Sequence, residues 1–166
     1  MSLPTTTTGY ALQPDEGEAL WFNGTLVIVK ASAEQTEGRY GAVEFRGNKG
    51  FAAPLHIHRH DDELFIVLAG KVRFQLADEV IEGVAGSMVY GPRTVPHSFR
   101  LDSDDARVLL IFGPAGTEGF FREAGKPARS FGLPPADEQF IDRDMLMKIG
   151  NSHDQEFVGP PLPPKS

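Results

Sequence analysis

Short apolar runs separated by turn residues occupy most of the chain between residues 19 and 112. The runs are rich in Val, Ile, Leu and Phe, and the 18 glycines and 13 prolines of the chain punctuate the pattern. Such spacing is typical of an all-β sandwich or barrel. We expect strands over residues 19–30, 39–45, 51–58, 63–68, 71–76, 79–82, 87–90, 97–101 and 107–112.

Two neighbouring runs differ in how their apolar residues are spaced. Polar and apolar residues alternate through the run 71–76, which predicts a strand with one face in water and one face in the core. The run 64–68 is apolar at every position, which predicts that both of its faces are covered. A second sheet or a partner subunit could cover one of these two faces.

The character of the chain changes after Gly113. Residues 117–124 and 137–149 are predicted to form peripheral helices, the second of them with Gly150 as a C-cap. The proline-rich tail from Gly159 is expected to be extended and loosely held. We therefore expect a partly disordered N-terminal arm over 1–18, a β-barrel over 19–116, and a helical segment with its tail over 117–166. No internal repeat is visible, which argues against a second barrel.

Composition narrows the classes of function. A chain of 166 residues is enough for one well-cored domain. Its 16 Lys and Arg against 23 Asp and Glu give a formal net charge of −7, which argues against nucleic acid as a partner. There is no cysteine, so a bound metal ion would need nitrogen and oxygen ligands.

The chain also carries no sign of a membrane or export segment. Its first ten residues lack a basic stretch followed by an apolar one, so we expect no signal peptide and a cytoplasmic location. The longest apolar stretch, residues 64–69, is much shorter than the roughly 20 residues of a membrane-spanning helix. We therefore expect no membrane partner.

Three residues close together in the sequence are candidate metal ligands. His56 and His58 are two apart on a predicted strand, so their imidazoles point to the same side. If residues 59–62 form a hairpin loop, Glu63 pairs across from His58 and shares that face. His97 lies on a later strand, and only the fold could bring it to the same place as a fourth ligand.

Three imidazoles and one carboxylate suit a single divalent transition metal ion. Manganese, iron, cobalt, nickel, copper and zinc all accept such ligands, and an octahedral ion would keep two positions open for substrate or dioxygen. The alternative for a His-x-His pair is a pair of solvated or hydrogen-bonded side chains on a hairpin. His60 is expected to be a solvated residue at the rim, with a role as an alternative ligand left open, and His153 is expected at the surface.

Aromatic residues offer candidate walls for a substrate pocket. Phe65 and Phe99 each follow a candidate ligand by two residues, so both should point toward the metal side of their strands. Packing in the barrel core is the alternative for such residues. Phe120 and Phe121, on the first predicted helix, would close one end of the barrel or form a dimer contact.

These residues carry a resemblance to the cupin superfamily. Gly50, His56, His58, Glu63 and Gly70 match every defining position and spacing of the first cupin motif. The match gives the His-x-His pair much more weight than its spacing alone.

The second cupin motif is matched in part. Gly86, Pro92 and His97 are at the positions of its glycine, proline and histidine. Thr94 replaces a second glycine, and Leu101 stands where the motif has asparagine. These departures concern the turn before His97 and leave the ligand itself in place.

The resemblance implies a double-stranded antiparallel β-barrel of the jelly-roll type, with a metal ion held by His56, His58, Glu63 and His97 inside its wider mouth. The single-domain layout is similar to that of quercetin-dioxygenase-like proteins. In many cupins an N-terminal strand, here the one with Trp21 and Phe22, pairs with a partner subunit, which implies a homodimer.

Three functions stay open on this basis. The first is a metal-dependent dioxygenase that acts on a flavonol-like or other enolisable aromatic small molecule, with Glu63 as both ligand and general base. The second is a lyase, decarboxylase or isomerase that uses the same site without oxygen. The third is a non-enzymatic module that binds a metal or a small molecule. The residues of the site do not separate these three functions.

Overall fold

A computed structural model describes residues 2–5 and 9–165 of the chain. The elements are β1 Glu18–Phe22, β2 Thr25–Ala31, α1 Ala33–Thr36, β3 Gly41–Gly47, β4 Leu55–His58, β5 Asp62–Ala69, β6 Lys71–Leu76, β7 Glu79–Val84, β8 Met88–Gly91, β9 His97–Leu101, β10 Ala106–Gly113, α2 Thr117–Ala124, β11 Lys126–Pro127, α3 Arg143–Ser152 and β12 Gln155–Gly159. None of the helices in this described part is both long and apolar enough to cross a membrane. The disorder predicted for the N-terminal arm concerns, in part, residues 1 and 6–8, which lie outside the described residues.

Two antiparallel sheets form the body of the protein. One has seven strands in the order β11-β1-β2-β3-β10-β5-β8, and the other has five in the order β12-β4-β9-β6-β7. Inward-facing residues of both sheets, among them Phe45, Phe74 and Phe112, form the main hydrophobic cluster between them. The predicted all-β jelly-roll with helices after the barrel is confirmed, and strands β6 and β9 have the predicted bounds.

The predicted strand 19–30 is wrong, because it is a hairpin of two strands. Asn23 and Gly24 form its turn, with φ angles of 45° and 83°. Two successive residues with positive φ twist the chain in the sense that a tight antiparallel hairpin needs, and Asn-Gly is the sequence that adopts this conformation most easily. Phe22 pairs directly with Thr25 on the returning strand. The hairpin matters for the site, because Phe22 and Asn23 both reach the internal cavity.

Strand β5 is covered fully on one face only. Phe65 and Val67 are buried in the interior, whereas Leu68 on the outer face is 41% exposed. Met88 and Tyr90 on the neighbouring strand β8 are also exposed. The smaller sheet covers the inner face, as one of the two alternatives predicted, whereas the outer face is partly exposed among residues 2–5 and 9–165. Cover by a partner subunit, and with it the homodimer, stays a prediction.

The C-terminal helix begins and ends later than predicted. Helix α3 begins after Asp142, whose carboxylate accepts a hydrogen bond from the backbone of Met145 at 2.8 Å. The predicted C-cap at Gly150 is wrong, because the helix runs on to Ser152 and Gly150 packs inside it against Phe157. The chain then turns into β12, which the sequence pattern did not reveal and which pairs with β4 along the edge of the smaller sheet.

The proline-rich tail is attached to the smaller sheet, so its predicted loose attachment is wrong. Leu162 is buried, and its carbonyl oxygen accepts a hydrogen bond from Arg100 at 3.1 Å. The guanidinium of Arg73 donates to the carbonyl oxygen of Pro163 at 2.9 Å. A buried aliphatic side chain and hydrogen bonds from two arginines therefore help to hold the tail against the smaller sheet.

The segment after the barrel closes one end of the interior. Helix α2 has the predicted bounds, and Phe120 and Phe121 pack edge to face against Phe22 at 5.7 and 5.4 Å between ring centroids. Trp21 faces the other side of the sheet, where its indole donates to the carbonyl oxygen of Gly132 at 2.9 Å. The chain's own C-terminal segment thus buries Trp21.

We predict that Leu162→Ala destabilises the protein by about 2 kcal/mol, since it removes the buried anchor of the tail and leaves space that the tail can only partly fill. Urea unfolding followed by circular dichroism measures this change. Val158→Ala is the matched control, because Val158 is 42% exposed in the same segment, and it should cost less than about 0.5 kcal/mol. Equal losses in the two variants would contradict the anchoring role of Leu162.

Candidate metal centre

The four predicted ligands meet in the interior between the two sheets. His56 and His58 lie on β4, and His97 lies on β9 directly opposite His56 in the strand register. Glu63 comes from β5 in the other sheet, so it meets the histidines across the interior. The predicted pairing of Glu63 with His58 across a hairpin is therefore wrong, because residues 59–61 carry the chain from one sheet to the other. One nitrogen of each imidazole and one carboxylate oxygen all lie within 4.8 Å of one another, and all four side chains are buried.

Backbone carbonyl groups fix the orientation of two of the imidazoles. His56 Nδ1 donates to the carbonyl oxygen of Pro54 at 2.7 Å, and His97 Nδ1 donates to that of Val95 at 2.9 Å. A carbonyl oxygen can only accept, so Nδ1 carries the proton in each ring. The lone pair of the neutral ring is then on Nε2, which is the atom that remains for a metal ion.

The orientation of the third imidazole, that of His58, is fixed by a carboxylate. Its Nδ1 lies 2.8 Å from Asp61 Oδ2, and the hydroxyl of Thr117 donates to that same oxygen at 3.1 Å. Second partners of this kind hold a histidine ring in place and increase its basicity as a ligand. Asp61 was not among the predicted site residues, because nothing in the local sequence links it to Thr117, which lies 56 residues further along the chain.

The remaining ring nitrogens converge on Glu63. Its Oε2 lies 3.0 Å from His97 Nε2 and 3.2 Å from His58 Nε2. Two imidazole nitrogens and a buried carboxylate oxygen thus point at the same small volume. This donor set fits a divalent transition metal ion, since nitrogen and oxygen ligands of this kind suit manganese through zinc.

The electrostatic surroundings shift the pKa values of His56 and His58 in opposite directions. Burial, helped by the neighbouring His97 and His58, holds the pKa of His56 well below its usual range. Burial also opposes a charge on His58, but Glu63 and Asp61 outweigh it and raise the pKa of that ring. His56 is therefore neutral and ready to act as a ligand, whereas a metal ion at His58 would compete with a proton.

The turn before His97 keeps a conformation that favours glycine. Thr94, at the position of the motif's second glycine, has φ 67°. Its backbone N–H donates to the carbonyl oxygen of His58 at 2.8 Å, so the turn is tied to the strand that carries two of the candidate ligands. A β-branched residue is strained in this left-handed region. The substitution therefore preserves the geometry of the turn at a cost in stability.

A cavity of about 310 Å³ adjoins the cluster. Its wall includes His56, His58 and Glu63 and is otherwise mostly aromatic and aliphatic. The phenylalanines of the wall are Phe22, Phe45, Phe51, Phe99, Phe120, Phe121 and Phe157.

Of the two residues predicted to line the pocket, only one lies in the cavity wall. Phe99 lines the cavity, as predicted. Phe65 lies outside the lining, because its ring is buried in the core against Phe74 at 5.2 Å and beside His97 at 5.8 Å between ring centroids. Phe120 and Phe121 were predicted to close one end of the barrel or to form a dimer contact, and their place in the cavity wall follows from the packing of α2.

The polar groups of the cavity wall beyond the cluster are few. Asn23, Thr117 and Gln155 supply them, and no lysine or arginine stands among the residues that line the cavity in the described part of the chain. The hydroxyl of Thr117 is already bonded to Asp61. The cavity wall beyond the cluster is therefore largely apolar.

The other two histidines lie outside the cluster. The side chain of His60 is 70% exposed, with Nε2 3.5 Å from Asp154. His153 Nε2 lies 2.8 Å from Glu123. The placement of His60 agrees with the expected solvated rim position.

Comparison with protein families and curated proteins supports the resemblance found in the sequence. Residues 44–112 match the family described as Cupin domain, a span that includes all four candidate ligands. Quercetin 2,3-dioxygenase of Bacillus subtilis strain 168 is 27% identical over 158 residues, which are 95% of this chain and 47% of that protein. An uncharacterized protein of Streptomyces coelicolor is 38% identical over 53 residues, 32% of this chain and 50% of that protein. The chain spans about half the length of the curated relatives it matches.

Solved structures share the fold. KdgF from Halomonas sp. superposes with a TM-score of 0.53 at 20% identity, over 58% of this chain and 84% of that chain. An RmlC-like cupin from Shewanella frigidimarina gives 0.54 at 18% identity, over 61% and 88%. Oxalate decarboxylase from Bacillus subtilis gives 0.53 at 20% identity, over 66% and 31%. At these identities the likeness concerns the fold alone.

We predict that Asp61→Ala weakens metal binding about tenfold to a hundredfold, since it removes the carboxylate that orients His58. Titration of the purified variant with Ni²⁺ or Zn²⁺ against a chelator of known affinity measures this loss. Asp62→Ala is the matched control, because Asp62 is the next residue and pairs with Arg93 outside the cluster. Unchanged affinity in Asp61→Ala would contradict the orienting role.

We predict that Thr94→Gly raises the free energy of unfolding by about 1 kcal/mol, because relief of the left-handed strain outweighs the added freedom of glycine in the unfolded chain. Thermal unfolding measures the gain. Thr94→Ala is the control, since alanine keeps a Cβ in the left-handed region and should give less than half of the effect. A loss of stability in Thr94→Gly would show that the threonine side chain is needed at this turn.

Proposed function

We propose that this chain, which matches the Cupin domain family over residues 44–112, is a metal-dependent dioxygenase acting on a flavonol-like or other enolisable aromatic substrate. The observation that carries the proposal is the cavity rich in phenylalanine that adjoins the three-histidine, one-glutamate cluster. The similarity to quercetin 2,3-dioxygenase of Bacillus subtilis along nearly the whole of this chain supports the same reaction class.

We propose that His56, His58, Glu63 and His97 hold one divalent transition metal ion, of the series from manganese to zinc. When bound, such an ion supplies Lewis acidity and open coordination positions for substrate and dioxygen. The lone pairs on Nε2 of His56 and His97 are fixed by the backbone bonds at Nδ1, which supports their role as ligands. Asp61 gives the same support to His58.

The chain's own residues would bind the substrate and handle its proton. The phenylalanine walls hold a flat ring and exclude water from the buried cluster. Glu63 would accept the proton of an enolic or phenolic hydroxyl at a carboxylate oxygen, in reach of both His58 and His97. The absence of lysine and arginine from the described cavity wall supports an uncharged aromatic substrate over a small dicarboxylate.

We predict that the protein loaded with iron, manganese, cobalt or nickel consumes dioxygen when supplied with quercetin or with a related flavonol, catechol or diketone. His97→Ala should lower metal affinity by at least about a hundredfold and abolish oxygen uptake, because it removes one of four ligands. Elemental analysis and an oxygen electrode measure the two effects. His60→Ala is the matched control and should retain both metal and activity, since His60 is exposed outside the cluster.

The same experiment separates the other functions. Turnover of a substrate under strict anaerobiosis would favour a lyase, decarboxylase or isomerase and contradict the dioxygenase. Metal binding without turnover of any compound would favour a binding module. Retention of the metal in His97→Ala together with its loss in His60→Ala would overturn the proposed ligand set.

A further inference from the structure

One amide in the cavity wall has no hydrogen-bond partner among the residues that the structure describes. Gln155 is 4% exposed and lines the cavity next to the cluster. Its backbone pairs directly with that of His58 in the register of β12 and β4. Directly opposed residues of an antiparallel pair point to the same side of the sheet, so the amide of Gln155 shares the interior side with the imidazole of His58.

The next inward position of the same strand supports this orientation. Phe157 lies two residues after Gln155 and also lines the cavity, with its ring centroid 6.0 Å from that of His56. Side chains two apart on a strand point to the same side. Strand β12 therefore presents one amide and one aromatic ring to the cavity beside the candidate ligands.

The fold does not depend on the amide of Gln155. Among residues 2–5 and 9–165, no hydrogen bond joins its side chain to another residue, whereas the backbone pairing with β4 holds the strand in place. The amide faces the cavity instead of a protein partner, so an aliphatic side chain of the same size would break no hydrogen bond with the described residues. An amide without a protein partner in a largely apolar wall is the kind of group that orients a polar ligand.

We propose that Gln155 is a specificity-determining residue that hydrogen-bonds a hydroxyl group of the aromatic substrate and so orients its ring relative to the metal cluster. This inference rests on the proposed function and adds the chemistry of recognition to it. An amide can donate to an oxygen atom or accept from a hydroxyl group, and it brings no charge into the cavity. The recognised substrate class is therefore a neutral hydroxylated aromatic molecule.

The test compares the affinities of two probes, quercetin and flavone, for the metal-loaded protein under anaerobic conditions. Quercetin carries hydroxyl groups, and flavone has the same ring system without them. Gln155→Leu keeps the size of the side chain and removes the amide. Gln139→Leu is the matched control, because Gln139 is exposed outside the cavity. Absorbance titration under anaerobic conditions gives the dissociation constants, and thermal unfolding gives Tm.

We expect Gln155→Leu to weaken quercetin binding roughly fivefold to tenfold, the effect of one neutral hydrogen bond, and to leave flavone binding unchanged. Its Tm should equal or exceed that of the wild type, which a structural glutamine would not allow. In oxygen-uptake assays KM for quercetin should rise more than kcat falls. Gln139→Leu should match the wild type throughout.

The outcomes distinguish this inference from the proposed function. Equal weakening for both probes, no weakening, or a clear fall in Tm in Gln155→Leu overturns the role of Gln155, even if the wild type consumes oxygen. Selective weakening for quercetin in a wild type that consumes no oxygen supports the role of Gln155 in binding and overturns the dioxygenase. A metal-loaded wild type that binds no quercetin overturns both proposals.

Discussion

The convergence of three imidazoles and one carboxylate in a buried space is the constraint on which the rest of this structure depends. Each ring has to present one particular nitrogen, and the protein achieves this by giving the other nitrogen a partner. Two partners are backbone carbonyl groups next to the histidines in sequence, and the third is Asp61, itself held by Thr117 from the first turn of α2. The site is therefore tied to the strands, to the crossing between the sheets, and to the helix that follows the barrel.

The segment after the barrel completes the cavity. Strand β12 pairs with β4, so the strand that carries His56 and His58 is not left at the edge of its sheet. Such pairing removes the freedom and the association risk of an edge strand. The same segment supplies Phe120, Phe121 and Phe157 to the cavity wall. The candidate ligands and the walls beside them are thus positioned by different parts of the chain, which lets the walls vary while the ligands keep their geometry.

Several features of the site oppose maximal stability. Four ionisable side chains are buried together, the amide of Gln155 has no hydrogen-bond partner among the described residues, and Thr94 holds a backbone conformation suited to glycine. A metal ion would offset the first of these costs, and a hydroxylated substrate would offset the second. The large phenylalanine core between the sheets, together with the tail anchored by Leu162, provides the stability that such a site requires.

The sequence by itself determined the fold class, most strand positions and the set of candidate ligands, because each depends on local patterns: the spacing of apolar runs, glycine at turns, and the intervals of two motifs. It could not determine that Glu63 meets the histidines from the opposite sheet, that Asp61 and Thr117 orient His58, or that β12 places Gln155 beside the ligands. These contacts are made between residues that are far apart in the chain, or by side chains that the local sequence pattern would place in water. Only the packing of two sheets with the C-terminal segment decided them, because burial and long-range pairing are properties of the folded chain.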